Sequence, residues 1–526
     1  MLMKTALTTY LYSDMKKVAK QAGAVATVTL FGVFTRLIAF LFKIYLSRVL
    51  GAEALGLYQI ALSVFLLFAS LSSTGIPMVV GRRVAEADAL GKKDDLSFFT
   101  TALIYSFSLS FFIVMILILC GQNLSFLFSE PLACPLFLIM VPALLSTSVY
   151  CVVRGWFWGK KLFTAFSFTE TLEETLRILF SAFFLSGAIG AVSGATAIAY
   201  AFTVSDIIVG VTLLALFFIK GGSLKKPAPL KEVLAPSMPI TAMRVLAGAF
   251  ATLVAMILPA RLISSGFTPT EATEAFGRIT GMANPLLFVP TTITGSIAVV
   301  LLPDVSALAV KKEYRTLNNR IDLGVNFSVL LCGLFMSIYF TLGEEITGFL
   351  YDDTLSGKYL SVAAISMLPM CLSQMTQSVL NSIGKEKQTF LTYLAGNIVM
   401  LVLIVILPRY IGVYAVAVAS VASFGIDGIA NSILLHQATG WGKNSVKYLV
   451  CCLLFSFLTT AFTRTFLPLS AHGDLFFVVF QNVFISCVVY IALCFVFGLV
   501  DADVVLRFYK NKGSKRKIRK NSSARV

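Results

Sequence analysis

Long apolar stretches separated by short polar loops make up most of this 526-residue chain. A helix that crosses the hydrocarbon core of a bilayer needs about 20 mostly apolar residues. The pattern predicts fourteen spanning helices, at residues 22–48, 55–81, 97–120, 132–153, 162–185, 190–219, 236–262, 278–303, 321–342, 359–383, 387–408, 411–437, 446–467 and 474–499. The predicted fold class is therefore an all-α integral membrane protein.

An internal repeat relates the first half of the chain to the second. The sequence Glu-Ala-Leu-Gly at residues 53–56 reappears at 274–277 as Glu-Ala-Phe-Gly, an offset of 221 residues. Farther along, Gly-Lys at 159–160 corresponds to Gly-Lys at 384–385. Internal repeats of this kind are common in transporter folds, so we expect two pseudo-symmetric six-helix lobes followed by two further helices.

The repeat and the loops divide the chain into six predicted parts. These are a cytoplasmic N-terminal segment at 1–21, an N-lobe with helices 1–6 at 22–219, a cytoplasmic linker at 220–235, a C-lobe with helices 7–12 at 236–437, helices 13 and 14 at 446–499, and a basic cytoplasmic tail at 500–526.

Composition and the placement of charge agree with a membrane protein. Hydrophobic residues make up 58% of the chain and charged residues only 13%, which excludes a soluble globule with a solvated surface. Of the 42 Lys and Arg residues, 32 fall in alternate loops and the tail, whereas six fall in the loops between them. The positive-inside rule then places both termini in the cytoplasm. We expect the tail to contact anionic membrane lipids and not nucleic acid.

The sequence shows no motif for a metal, a cofactor or a catalytic nucleophile. The nine cysteines lie in or beside apolar spans without a Cys-x-x-Cys pair, and His436 and His472 have no companions at metal-ligand spacing. A phosphate-binding P-loop and a nucleophile elbow are also absent from the sequence. We therefore expect no cofactor, no metal and no enzyme activity.

Four cations remain inside the predicted spans: Arg36, Lys43, Arg177 and Arg244. A charge at the centre of a spanning helix costs about 2.5–3.5 kcal/mol, so it usually faces water or a partner. Arg36 and Lys43 are seven residues apart, which puts them about 20° apart around a helix and about 10 Å apart along it. That face suits an extended anion such as a diphosphate, although Lys43 can also extend to the outer interface and Arg36 can pair with a carboxylate.

Arg244 lies in the first helix of the predicted C-lobe, as Arg36 lies in the first helix of the predicted N-lobe. With a repeat axis between the lobes, both arginines would approach one central cavity, where a guanidinium suits phosphate geometry. The alternative is that Arg244 extends to the inner interface.

The predicted spans also contain carboxylates that offer ion pairing or ion coupling. Arg177 lies four residues after Glu173 and three residues after Glu174 on its own helix, so local ion pairs can satisfy it. The candidates for coupling to an ion or proton are Glu170, Glu173, Glu174, Arg177, Asp206 and Asp427. The last two occupy equivalent positions of the sixth and twelfth spans, where matched helix packing is the alternative. Gating hinges are predicted in the second and eighth spans, at Gly75, Pro77, Pro285 and Pro290.

Several of these features together resemble a known superfamily. The order of two six-span lobes and two extra spans, Phe-Thr-Arg-Leu at 34–37 and the Gly-Lys inner turns is similar to the multidrug/oligosaccharidyl-lipid/polysaccharide exporters. Within that superfamily, the chain resembles polysaccharide-export flippases like stage V sporulation protein B, which are related to MurJ-type lipid II flippases.

The resemblance implies an alternating-access flippase of the bacterial cytoplasmic membrane that acts as a monomer. Its substrate would be an undecaprenyl-diphosphate-linked saccharide, such as the peptidoglycan precursor lipid II, with a role in sporulation. Arg36 stands where such flippases carry a cavity-facing arginine, and Lys43 stands one position away from their second cation. Helices 13 and 14 would hold the lipid tail. A membrane potential or an H⁺ or Na⁺ gradient would drive transport.

Two other functions fit parts of the pattern. A drug or cation antiporter of the same superfamily would have almost the same fold, and a cavity dominated by acidic residues would favour it. A membrane glycosyltransferase or polymerase could use the acidic outer loop that contains Glu344, Glu345, Asp352 and Asp353.

Overall fold

The computed structural model describes residues 2–73, 75–89, 96–187, 194–442, 445–466 and 475–499. Nineteen α-helices and several short 3₁₀ and π turns account for nearly all of these residues, which include no β-strand. Lys92, Lys93 and the basic tail at 500–526 lie outside the described ranges.

The helices follow one another with short connections. They are α1 Leu2–Ser73, α2 Ile76–Ala89, α3 Ser97–Cys120, α4 Ala133–Met140, α5 Ala143–Gly159, α6 Phe163–Leu185, α7 Gly194–Ile219, α8 Leu230–Ser264, α9 Pro269–Gly277, α10 Asn284–Leu287, α11 Val289–Val310, α12 Tyr314–Tyr351, α13 Thr354–Ala363, α14 Met367–Ser382, α15 Glu386–Ile406, α16 Pro408–Ile411, α17 Ala415–Thr439, α18 Ser445–Phe466 and α19 Leu475–Val496.

The fold class predicted from the sequence is confirmed, and each of the fourteen predicted spans coincides with a helical segment. Among the described residues, ten helices are long and apolar enough to cross a membrane, or eleven if α4 and α5, bent by 49°, form one span. Three features lower this number, one of which is that the eighth predicted span, 278–303, is divided among a π-helical turn, α10 and α11. The other two concern α1 and α6. α1 contains two predicted spans in one element, and α6 carries four charged residues. Fourteen spans therefore stays a prediction that the helices are consistent with.

The two arms of α1 meet at Gly51. This residue has φ 74° and ψ 179° inside an otherwise helical element. A positive φ is accessible to glycine at little steric cost, so Gly51 provides the bend between the first two predicted spans. α1 begins at Leu2, so the segment predicted to precede the first span is also helical.

By packing, the chain divides into two compact units. Unit 1 comprises Met1–Met282 and Ile404–Gly412, and unit 2 comprises Ala283–Leu403 and Val413–Val526. Thus α8 and α9 pack with the first unit, although the repeat assigns them to the second lobe. The lobe boundaries predicted from the repeat stay a prediction, because packing and sequence ancestry need not divide a chain at the same point.

Each unit has a buried core with aromatic anchors. In unit 1, Trp156 packs edge-on against Phe217 with centroids 4.8 Å apart, and Phe217 stacks on Phe99 at 4.5 Å. In unit 2, the side chain of Trp441 is 2% exposed, and its indole N–H donates a hydrogen bond of 2.8 Å to Asp322 of α12. That bond satisfies the polar atom of a buried indole.

Two repeat-related glycines lie at one crossing inside unit 1. A Cβ atom added at Gly56 in α1 would overlap the carbonyl oxygen of Thr273 in α9, and one added at Gly277 would overlap the carbonyl oxygen of Ala52. The offset of 221 residues pairs Gly56 with Gly277 and also Ala52 with Thr273. The contact is therefore reciprocal, as at a two-fold axis.

The four predicted hinge residues all lie at or near breaks between helices. Gly75 lies between α1 and α2, and Pro77 is the second residue of α2. Pro285 is in α10, directly after the π-helical turn Arg278–Ala283, and Pro290 is the second residue of α11. Their positions suit the prediction, and their role in motion stays a prediction.

Candidate functional site

Helix α6 carries the acidic residues of the candidate site together with their basic partner. Arg177 donates to Glu173 at 2.5 Å and to Glu174 at 3.3 Å, and its side chain is 13% exposed. The guanidinium also lies 5.0 Å from the ring centroid of Phe202 in α7. The i,i+3 and i,i+4 spacing brings these groups together on one helix face. The local pairing raised by the sequence is therefore present, and coupling by these groups to an ion or proton stays a prediction.

The fourth charged residue of α6, Glu170, has a partner on another helix. Arg154 of α5 donates to Glu170 at 3.1 Å, with both side chains 32% exposed. The same guanidinium lies 4.6 Å from the ring centroids of both Trp158 and Phe166. Cation–π contacts of this kind hold an arginine in place.

The position of Arg154 corrects the sequence analysis. The fourth predicted span ended at residue 153, which left Arg154 among the basic residues of the following loop, but α5 continues to Gly159, so Arg154 lies within the helix. The sequence contained a signal for this. Trp158 follows at i+4, the spacing at which a cation and an aromatic ring share a helix face.

The cations of α1 face this acidic helix. The hydroxyls of Thr35 and Thr171 are 2.8 Å apart, which fixes the register between α1 and α6. In that register the charge of Arg36 acts on Glu170, and the charge of Lys43 acts on Glu174. The structure therefore brings together two cations that the sequence predicted to share a face and two carboxylates that it listed separately.

The result is one charged cluster in unit 1, built from four helices. The charged cluster consists of Arg36, Lys43, Arg154, Glu170, Glu173, Glu174, Arg177 and Asp206. Asp206 belongs to it because the charges of Glu173 and Arg177 both act on its carboxylate. Four cations and four carboxylates balance formally. α1 and α6 therefore do not by themselves form the expected cavity with an excess of positive charge.

Asp206 and Asp427 make similar contacts in their two units. In unit 1, the Thr147 hydroxyl donates to the Asp206 carboxylate at 3.1 Å. In unit 2, the Ser373 hydroxyl and the Asn431 amide both donate to Asp427, which is 5% exposed. In each unit a hydroxyl on the helix of the fourth or tenth predicted span holds the aspartate. These hydrogen bonds match the packing alternative, and coupling by either residue stays a prediction.

Arg244 is placed apart from this arrangement. It lies on α8 with an exposed side chain, and it shares no hydrogen bond or ion pair with the described members of the charged cluster. Three prolines, Pro236, Pro239 and Pro259, interrupt the hydrogen bonding of the same helix.

Two further features bear on alternative chemistry. No group of three or more His, Cys, Asp or Glu residues that could hold a metal is present in the described part of the chain. In the acidic outer segment, the Asp353 carboxylate accepts from the backbone N–H of Ser356 at 2.7 Å, capping α13. A capping role explains this carboxylate without sugar-transfer chemistry.

Two sporulation proteins of one organism are similar in sequence to this chain. Stage V sporulation protein B of Bacillus subtilis (strain 168) is 24% identical over 444 residues, which cover 80% of this chain and 84% of that protein. Sporulation protein YkvU of the same organism is 22% identical over 324 residues, covering 60% and 68% of the two chains.

Solved structures share the fold. The lipid II flippase MurJ in an inward closed conformation aligns with a TM-score of 0.70 at 15% identity, covering 89% of this chain and 98% of that one. An inward-facing MATE family multidrug transporter of the MOP superfamily aligns with a TM-score of 0.65 at 13% identity, covering 85% and 100%. The resemblance inferred from the repeat is confirmed at the level of fold.

A family model decides the family. The model described as polysaccharide biosynthesis protein matches residues 23–309, which is more than half of the 526-residue chain. That range includes the whole charged cluster. The chain is a multi-pass membrane protein that belongs to the polysaccharide biosynthesis protein family.

Proposed function

We propose that this protein is a flippase that moves an undecaprenyl-diphosphate-linked saccharide across the bacterial cytoplasmic membrane by alternating access. The proposed substrate is the peptidoglycan precursor lipid II, and the proposed setting is spore formation. Family membership supports a role in polysaccharide synthesis. The sporulation relatives and the lipid II flippase support the setting and the substrate. The protein would break no bond, and it would act as a monomer with both termini in the cytoplasm.

One observation carries the choice of a diphosphate. Arg36 and Lys43 lie on one face of α1, at a separation of about 10 Å along the helix axis, and neither is in a close ion pair with another described residue. Cations that lie near carboxylates without forming a close ion pair remain available to bind an anion. The prenyl tail would stay in lipid while the diphosphate and sugar occupy the polar region.

Transport also needs a source of energy. We propose the membrane potential, because a diphosphate carried outward moves negative charge away from the negative interior. The potential contributes about 2.3 kcal/mol per elementary charge per 100 mV. An H⁺ or Na⁺ gradient acting through the α6 carboxylates is the alternative.

The four carboxylates of the charged cluster favour a second candidate function, a cation-coupled drug antiporter. An acidic site attracts a cationic drug, and the solved MATE transporter shares the fold. Efflux of ethidium from cells that express the protein would support this function. Efflux that is lost in Glu170→Gln but kept in Arg36→Ala would favour it over the flippase.

Translocation of lipid II in proteoliposomes tests the flippase directly. We expect the wild-type protein to move labelled lipid II between leaflets, and Arg36→Ala to lower the rate at least about tenfold. A charge-assisted contact contributes about 1.5–3 kcal/mol, and each 1.4 kcal/mol corresponds to a factor of ten. Arg244→Ala should give a similar loss if Arg244 also contacts the diphosphate.

A matched control for these variants is Arg82→Ala. Arg82 makes an exposed i,i+4 ion pair with Glu86 on α2, so its loss removes one positive charge outside the proposed site. Equal rates in wild type, Arg36→Ala and Arg244→Ala would contradict the proposed site. Absence of translocation by well-folded wild-type protein would contradict lipid II as substrate.

A further inference from the structure

Two glutamates of α6, near the contact of Thr35 with Thr171 that joins α6 to α1, each interact with two cations from different helices. The Glu170 carboxylate accepts a hydrogen bond from Arg154 at 3.1 Å and also interacts electrostatically with Arg36. The Glu174 carboxylate accepts a hydrogen bond from Arg177 at 3.3 Å and also interacts electrostatically with Lys43. The two arrangements repeat one pattern, in which each carboxylate pairs with an arginine of α5 or α6 and also interacts with a cation of α1.

The arginines of the two arrangements are held firmly. The Arg154 guanidinium lies 4.6 Å from the ring centroids of both Trp158 and Phe166, which contact each other edge to face at 5.8 Å. Arg177 is 13% exposed, bonds to two carboxylates and packs on Phe202 at 5.0 Å. Removing either arginine from its place would cost both an ion pair and a cation–π contact.

The cations of α1 are held less firmly. The Arg36 side chain is exposed and that of Lys43 is half-buried. Among the described residues, neither forms an ion pair as short as those of Arg154 and Arg177. The two glutamates can therefore release Arg36 and Lys43 without losing every cationic partner.

We propose that Glu170 and Glu174 are exchangeable counter-ions of the substrate site, and that the diphosphate displaces them from Arg36 and Lys43. This inference rests on the proposed function, because it assigns a role to residues around the same site. In the empty protein the two carboxylates neutralise the α1 cations. When the diphosphate binds, Glu170 remains paired with Arg154, and Glu174 remains paired with Arg177.

The exchange gives the site a reason to prefer a diphosphate. An anion must compete with both carboxylates to hold both α1 cations, and a diphosphate offers anionic oxygens on two linked phosphoryl groups, one for each cation, whereas a monophosphate has only one such group. Weak anions would leave at least one glutamate in place. The same two carboxylates would therefore exclude common singly charged anions from the polar region.

Other charged and titratable groups also surround these glutamates. The carboxylates of Glu173 and Asp206 and the phenols of Tyr58 and Tyr150 interact electrostatically with the same ion pairs. For this reason the test removes the charge of one glutamate at a time instead of varying the pH, which would change several groups together.

Binding of farnesyl diphosphate to the purified full-length protein in nanodiscs tests the inference. We expect Glu170→Gln and Glu174→Gln each to tighten binding roughly five- to tenfold, because the α1 cation loses its competitor. Glu86→Gln is the matched control, since it makes the same charge change at an exposed ion pair with Arg82 and should leave the affinity unchanged.

A further variant reverses the sign of the effect. Arg154→Met removes the second partner of Glu170, so this carboxylate should hold Arg36 more strongly and weaken farnesyl diphosphate binding. A purely structural role would lower affinity in every variant, whereas the exchange raises it in two and lowers it in one. The ratio of affinities for farnesyl diphosphate and farnesyl monophosphate should also fall in the Glu170→Gln, Glu174→Gln double variant.

The outcomes separate this inference from the proposed function. If wild type binds farnesyl diphosphate and Arg36→Ala weakens binding, but neither glutamine variant tightens it, only the counter-ion exchange is overturned. If well-folded wild type does not bind, or Arg36→Ala binds equally well, both proposals are overturned. Because the two glutamates belong to separate arrangements, either variant alone suffices if the other fails to fold.

Discussion

Replacing Arg177 by alanine is expected to lower the free energy of unfolding by about 3–5 kcal/mol, the cost of breaking a buried ion pair from one side. The Arg177 side chain is 13% exposed, and the Glu173 and Glu174 side chains are 23% and 19% exposed. Without the guanidinium, Glu173 would lose its ion pair, and Glu174 would keep only the charge of Lys43, which is not within ion-pair distance. The melting temperature of the purified protein in detergent measures this effect.

A triple variant separates a structural role from a coupling role. Arg177→Leu combined with Glu173→Gln and Glu174→Gln replaces the pair network by neutral groups of similar size, which is often tolerated when both partners are changed. We expect it to recover most of the lost melting temperature. If the recovered protein still translocates lipid II, the network is structural. Recovered folding without translocation would instead assign a coupling role to these charges.

The fold could be predicted from the sequence because two strong signals agree. Apolar stretches of about 20 residues identify spanning helices without reference to tertiary contacts, and the offset of 221 residues between 53–56 and 274–277 shows the duplication. Which helices pack together was harder to predict. α8 and α9 lie in the second half of the repeat, yet they pack in unit 1 with α1. Packing depends on side-chain shape across helices, which a repeat does not encode.

The candidate site was predicted in part. The ion pairs of Arg177 follow from i,i+3 and i,i+4 spacing, and the structure places them as expected. The pairing of Arg154 with Glu170 joins two helices across a turn, and its register depends on where α5 ends. The fourth predicted span ended at residue 153, so Arg154 was left outside it and this pairing was not predicted. The faces through which α1 and α6 meet depend on the contact of Thr35 with Thr171, and no local pattern in the sequence indicates this contact.

The net charge of the candidate site bears on how transport would be driven. The first cation pair, Arg36 and Lys43, suggested a site with excess positive charge. In the structure, carboxylates of α6 interact electrostatically with both cations, so the site without substrate is neutral in formal charge. A neutral site that becomes negative only when loaded would respond to the membrane potential mainly during the loaded step. The carboxylates therefore strengthen the argument for a potential-driven flippase.

Substituting alanine for Gly56 or Gly277 is expected to destabilise the protein by about 1–3 kcal/mol, the usual cost of overpacking. At both positions the added Cβ would overlap a backbone carbonyl oxygen, of Thr273 or of Ala52, and a backbone oxygen cannot rotate away as a side chain can. Small residues at helix crossings in membranes allow backbones to approach closely. Thermal unfolding in detergent or nanodiscs measures the loss.

Gly425 in α17 provides the matched control, because a Cβ there meets nothing within 4 Å. Gly425→Ala should be neutral or stabilise the helix by up to about 1 kcal/mol. Since the contact of Gly56 and Gly277 is reciprocal, separating α1 from α9 at one glycine also makes room at the other. The double variant should therefore cost clearly less than the sum of the single variants. Full additivity, or single variants as stable as Gly425→Ala, would show that the two helices do not cross closely at these glycines.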